Sequence, residues 1–145
     1  MGNLKATVEQ CLAAYNRHDA QAFASFFAEH GLLRVVATGE ANEGRVQIRA
    51  GAEERWRALD YRLETRGIYE SGRDVWLEWT MTGVHVGDIL GIPATRRRVE
   101  GLLGCSHFRF DSGGSIESDL VYFDSATLFN QLGLMPDVAT TEVTA

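Results

Sequence analysis

Three side chains combine a type and a position suited to moving protons: Asp119, His85 and Tyr15. Asp119 lies in the run from Ile116 to Phe123. Period-two alternation there puts Glu117, Asp119, Val121 and Phe123 on one face and Ile116, Ser118, Leu120 and Tyr122 on the other. The pattern alone leaves open which face is concave. An inward Asp119, beside Val121 and Phe123, would be desolvated, its pKa would rise, and it would suit acid/base work near neutral pH. The rival reading is an aspartate at the strand mouth, solvated or paired to an arginine. His85 is in phase with Trp79, Met81 and Gly83, and an inward phase would bring it to the cavity rim, able to share a proton with Asp119. Alternatively it caps the following connection through its ring nitrogens. Tyr15, on the apolar stripe of the first helix, could polarise a ligand carbonyl or sit in the core with its hydroxyl satisfied. Trp56 and Trp79 offer flat surfaces for a polycyclic ligand, and Leu33, Met81, Phe108 and Phe123 would complete an apolar wall.

These groups must be held by a small acidic chain. The 145 residues suit one domain, residues 1–136, with a mobile tail over 137–145. The net charge of −6 lacks the basic face of a nucleic-acid binder, and Arg96, Arg97 and Arg98 would alternate sides on a strand. No apolar run approaches the ~18 residues of a membrane span, and the N-terminus has no signal-peptide pattern, so a cytoplasmic location is expected. Cys11 and Cys105 are isolated, and His18, His30, His85 and His107 form no metal-binding spacing, so no metal is expected. Gly101-Leu102-Leu103-Gly104 lacks the following helix of a phosphate loop.

The positioning elements are legible from periodicity. Leu4, Val8, Leu12 and Tyr15 mark a first helix. Asp19 caps a second, with Phe23, Phe26 and Phe27 on one face, stopped at Glu29-His30-Gly31. A strand over 32–36 and a turn-rich loop over 38–44 follow. The third helix runs over 45–59 with Ile48, Ala52, Trp56 and Leu59 as its stripe, weakened by Gly51. Strands are expected over 61–66, 75–86, 95–110 and 116–123. Asp124 then caps a short helix carrying Leu128, Phe129 and Leu132, ended by Gly133. This order predicts an α+β fold: a curved antiparallel sheet wrapped around the N-terminal helices as a cone-shaped barrel, with a short C-terminal helix. A cavity between sheet and helices would take a small ligand, and the convex face would make homodimer contacts.

Gly83-Val84-His85-Val86-Gly87, Gly91-Ile92-Pro93-Ala94-Thr95, Phe108-Arg109-Phe110 and Asp124 followed by Gln131-Leu132-Gly133 resemble the SnoaL-like polyketide cyclases and ester cyclases. Tyr15-Asn16-Arg17-His18-Asp19 and Phe26-Phe27-Ala28-Glu29 fit the same group, which lies in the nuclear transport factor 2-like superfamily. The resemblance spans about residues 5 to 135. It implies a cone-shaped fold, favours the Asp119–Val121 face as the inner one, and implies ring closure by intramolecular aldol chemistry without metal or cofactor. It places the family's acid at Val121 and its partner histidine at Ser106. The charged pair of the related epoxide hydrolases would fall on Trp79 and Met81, and the base of ketosteroid isomerase near Val35. The expectation is therefore a cofactor-free cyclase or isomerase-type enzyme acting on an apolar, carbonyl-bearing small molecule. The alternative is a non-catalytic binder of a hydrophobic ligand on the same fold.

Overall fold

The computed structural model describes residues 3–89 and 91–135; the expected tail over 137–145 lies outside the described residues. The elements are α1 (Leu4–Asn16), α2 (Ala20–Ser25), β1 (Phe27–Val35), β2 (Glu40–Glu43), α3 (Gly44–Ala58), β3 (Leu59–Ser71), β4 (Asp74–His85), β5 (Arg98–Phe110), β6 (Ile116–Phe123) and α4 (Ser125–Gln131). Three helices start at side-chain caps, which satisfy backbone N–H groups that have no partner within the helix. Asn3, Asp19 and Asp124 accept from the N–H groups of Ala6, Ala22 and Ala126 at 3.2, 3.0 and 3.1 Å.

The strands form one six-stranded sheet in the order β2-β1-β6-β5-β4-β3. All neighbours are antiparallel except β1 and β6, which run parallel. The sheet curls around the helices without closing, and β2 and β3 are its free edges. Alternation along β4 buries Val75, Leu77, Trp79, Met81, Gly83 and His85 on the concave side. Burial of each large apolar side chain in this series contributes roughly 1.5–3 kcal/mol. Among the described residues, no helix is long and apolar enough to cross a membrane.

The structure corrects the sequence reading in four places. Phe27 does not continue α2; it opens β1, because Phe26 O accepts from Ile116 N at 2.9 Å and draws the chain into the sheet. Residues 40–43 form β2 instead of a loop. Glu-Ala-Asn-Glu has little intrinsic strand preference, and the pairing comes from a tight return at Gly39 (φ 78°) that lays the segment against β1. β3 extends far past residue 66, through a register shift between Thr65 and Gly67. The expected set of one early strand and four antiparallel ones becomes six, with the parallel β1–β6 pair at its centre.

Two local devices set the helices against this sheet. At the end of α1, Asn16 Nδ2 donates to Leu63 O at 2.8 Å and Asn16 Oδ1 accepts from Leu63 N at 2.9 Å. This two-point clamp fixes Tyr15 against β3. In α3, Ile48, Ala52 and Trp56 form the buried stripe. Gly51 stands where a side chain would overlap the side-chain amide of Asn42 on β2, so the mid-helix glycine leaves room for that amide.

Gly83 has the same logic across β3 and β4. An added Cβ would lie 2.5 Å from Asp60 O and 2.7 Å from Tyr61 Cα, backbone atoms that cannot yield. Gly83→Ala is therefore expected to lower stability by about 2–4 kcal/mol, read as a fall in the chemical denaturation midpoint. A change below about 0.5 kcal/mol would contradict this packing.

Candidate functional site

Between the concave face of the sheet and the helices lies a cavity of about 610 Å³. Sheet residues Leu33, Val35, Leu77, Trp79, Met81, Phe108, Val121 and Phe123 supply an apolar wall, and Leu128 and Phe129 of α4 border it. Its polar groups come from separate elements: Cys11 and Tyr15 from α1, Arg55 from α3, Tyr61 from β3, Ser106 from β5 and Asp119 from β6.

Asp119 is 3% exposed, and its Oδ1 is sealed from solvent without a hydrogen-bond partner. The strand registers explain why. Asp119 is paired with Leu33 on one side and Phe108 on the other, and Val121 follows on the same face. None of these side chains can solvate a carboxylate. Burial therefore pushes its pKa up to about 7, against a smaller downward pull from the Arg55 charge. The nearby thiol of Cys11 is raised too, first by burial and then by the Asp119 charge, so it stays protonated at neutral pH.

The donors come from several elements. The hydroxyls of Tyr15 and Tyr61 share a buried hydrogen bond, and Arg55 Nε donates to the Tyr15 oxygen at 3.1 Å. Two hydroxyl protons serve one bond between the rings, so one O–H remains for a ligand. Burial raises the pKa of Tyr61, which keeps the phenol neutral and a donor. Arg55 is itself held by Glu40 and by Asn42, at 3.3 Å, both on β2. Burial opposes its charge, but Tyr15, Tyr61 and Glu40 together outweigh burial and raise its pKa. A second donor is Ser106. Its Oγ accepts from Trp79 Nε1 at 3.0 Å, which leaves the hydroxyl proton unassigned.

Asp119 and Tyr15 both line the cavity, as do Leu33, Val35, Trp79, Met81, Ser106, Phe108, Val121 and Phe123. His85 and Trp56 are not among the lining residues. His85 has the inward phase but sits at the end of β4, where its Nδ1 accepts from Thr95 N at 3.1 Å and meets Thr95 Oγ1 at 2.9 Å. It ties down the β4–β5 connection and is not seated beside Asp119. Trp56 packs behind Tyr15, ring centroids 4.9 Å apart, and stacks on His18 at 4.5 Å. Sequence reasoning missed Arg55, Tyr61 and Cys11. Tyr61 carried a readable signal, since it opens the alternating run that follows α3. Arg55 carried none, because an arginine one position from a helical stripe usually lies along the surface.

A model of the SnoaL-like polyketide cyclase family matches residues 5–132. Among curated proteins, none matches this chain. Similar solved structures include a hypothetical protein of ketosteroid isomerase-like fold from Catenulispora acidiphila, solved with trimethylamine, at 22% identity and TM-score 0.77, covering 92% of this chain and 96% of its own. A candidate SnoaL-like polyketide cyclase from Shewanella denitrificans has TM-score 0.80 at 14% identity, with 91% and 98% covered. AclR, a candidate hydroxylase from Streptomyces galilaeus, has TM-score 0.76 at 25% identity, with 94% and 89% covered. The sequence match over nearly the whole cavity-forming chain and the shared ketosteroid isomerase-like architecture agree, and the chain belongs to the SnoaL-like polyketide cyclase family.

Proposed function

We propose that this protein is a carbon-acid catalyst of cyclase or isomerase type, acting on an apolar carbonyl compound. The observation that carries this reading is Asp119, a partnerless carboxyl in an apolar cavity that is also lined by hydroxyl donors. In the ionised form it removes a proton from the carbon next to the ligand carbonyl. The free O–H of the Tyr15–Tyr61 pair, braced by Arg55, donates to the oxygen on which negative charge develops. Asp119 then returns the proton to another carbon of the same skeleton or, where the enolate carbon has bonded to a second carbonyl of the ligand and opened its C=O to an alkoxide, to that alkoxide. In this reading Asp119 stands in for the acid that the resemblance puts at Val121. Trp79 and the neighbouring apolar residues keep water from the charged intermediate.

A second reading, a hydrophobic ligand-binding protein without turnover, is favoured by one observation. Val121, Trp79 and Met81 are apolar cavity residues at positions where the resemblance leads one to expect polar groups. One experiment separates the two. Deuterium uptake from D₂O into the α-carbons of 2-tetralone is followed by NMR. Wild-type protein is expected to accelerate exchange. Asp119→Asn is expected to lower the rate at least about 100-fold, and Tyr15→Phe or Tyr61→Phe about 10- to 100-fold. Equal rates in wild type and Asp119→Asn would rule out the base, and binding without exchange would favour the second reading.

The raised pKa fixes the pH behaviour. The base works only when ionised, so kcat/KM is expected to rise with pH through about 7. Stability runs the other way. Folded Asp119 keeps its proton to about pH 7, whereas the unfolded side chain loses it near pH 4. Between these values the folded state binds the extra proton, so stability falls as pH rises, by up to ~4 kcal/mol at about pH 8. Asp119→Asn cannot ionise. It is expected to melt higher than wild type at about pH 8, by less at about pH 5, and close to it at about pH 4 and below, in thermal scans. A wild-type excess at the higher pH would overturn the assignment.

We also propose a homodimer through the convex face, where Tyr69, Trp76, Leu103 and Tyr122 are exposed on adjacent strands. Trp76→Glu combined with Leu103→Glu is expected to convert a dimer to a monomer in light scattering; an unchanged mass would refute that interface.

A further inference from the structure

The cavity mouth carries a charge pattern that the proton chemistry does not use. Among the described residues, the lining holds four carboxylates, Glu40, Glu54, Asp88 and Asp119, against one cation, Arg55. Arg55 is ion-paired with Glu40 through Nη1 and donates to Tyr15 through Nε, while its Nη2 is sealed from solvent without a partner. Glu54 and Asp88 are both exposed.

These two acids come from different elements but meet at one end of the cavity. The β4–β5 connection is pinned to the last turn of α3, where Val86 N and Gly87 N donate to Ala58 O at 2.9 and 3.1 Å. Gly87 permits this approach, since a side chain there would overlap Arg57 O. Asp88 follows directly, and Glu54 lies one helical turn before Ala58. The C-terminal carbonyls of α3 add partial negative charge at the same place. Arg57, the other base in that turn, is not a lining residue; its side chain is 74% exposed and lies 4.0 Å from Glu53. An anion entering here meets acids at the rim, a guanidinium inside that is already ion-paired with Glu40, and the partnerless carboxyl of Asp119 at the wall.

We propose that the cavity selects its ligand by charge: it takes a neutral carbonyl compound, or one bearing an ammonium group on the end left at the mouth, and turns away carboxylates, phosphates and other anions. This inference rests on the carbonyl-ligand reading above and narrows its substrate class. The discrimination arises from unfavourable potential toward the wrong ligand and not from an added contact to the right one. It acts at the solvent boundary, so salt screens it.

The test uses three probes of one shape: 2-acetylnaphthalene, 6-acetyl-2-naphthoate and (6-acetylnaphthalen-2-yl)methylammonium. Dissociation constants are measured by calorimetry on wild type, on the Glu54→Gln, Asp88→Asn double variant and on Asp119→Asn. In wild type at about 10 mM salt, the ammonium probe is expected to bind at least as tightly as the neutral one, and the carboxylate about tenfold or more weakly. The gap should shrink to about threefold or less in about 1 M salt and in the double variant. It should persist in Asp119→Asn, which loses exchange but keeps the rim. A gap present in a wild-type protein that exchanges no deuterium would retire the acid/base reading and leave charge selection standing. Equal affinity for anionic and neutral probes, a gap indifferent to salt and to the double variant, or no binding by any probe would overturn the proposal.

Discussion

The site depends on one unsolvated carboxyl. Asp119 is held between Leu33 and Phe108 by the two strands that flank β6, with Val121 next on its face. The parallel β1–β6 pair is therefore more than topology. Without it Asp119 would have an open side, water would reach the carboxylate, and its proton affinity would return toward that of an ordinary aspartate. The apolar wall raises the proton affinity by withholding stabilisation from the charged form.

The donors are assembled from elements distant in sequence. The Asn16 clamp on Leu63 fixes the end of α1, and Tyr15 thereby meets Tyr61. Arg55 reaches Tyr15 from α3 and is held from behind by Glu40 and Asn42 of β2. Gly51 makes room for the Asn42 amide. A short polar edge strand with few apolar residues of its own thus earns its place by orienting one guanidinium.

Much of this was legible before any coordinates. The period-two and period-3.6 patterns, and the caps at Asp19 and Asp124, located the four helices and β4, β5 and β6 within a few residues, and the start of β3 but not its end. β2 was not legible, because Glu-Ala-Asn-Glu reads as loop and its pairing is imposed by the Gly39 return. Nor was the parallel β1–β6 pair, since strand pairing across most of the chain leaves no local trace. For the site, alternation gave the face of a side chain but not its height along the strand. That is why Asp119 reaches the cavity while His85, in the right phase, ends beyond it against Thr95. Trp56 was misplaced for a related reason: a helical stripe marks burial without saying whether a side chain meets empty space or another ring.

The parallel pairing also bears on how the chain folds. β3, β4 and β5 form a meander of neighbours joined by a turn and one longer connection, whereas Leu33 and Asp119 must meet across most of the sequence. Closing so long a loop is entropically costly and is slow relative to local pairing. The same closure dehydrates the acid, which is easier when the acid carries its proton. Assembly of the β1–β6 seam is thus coupled to proton uptake, and mildly acidic solution, in which Asp119 keeps its proton, favours completing the molecule.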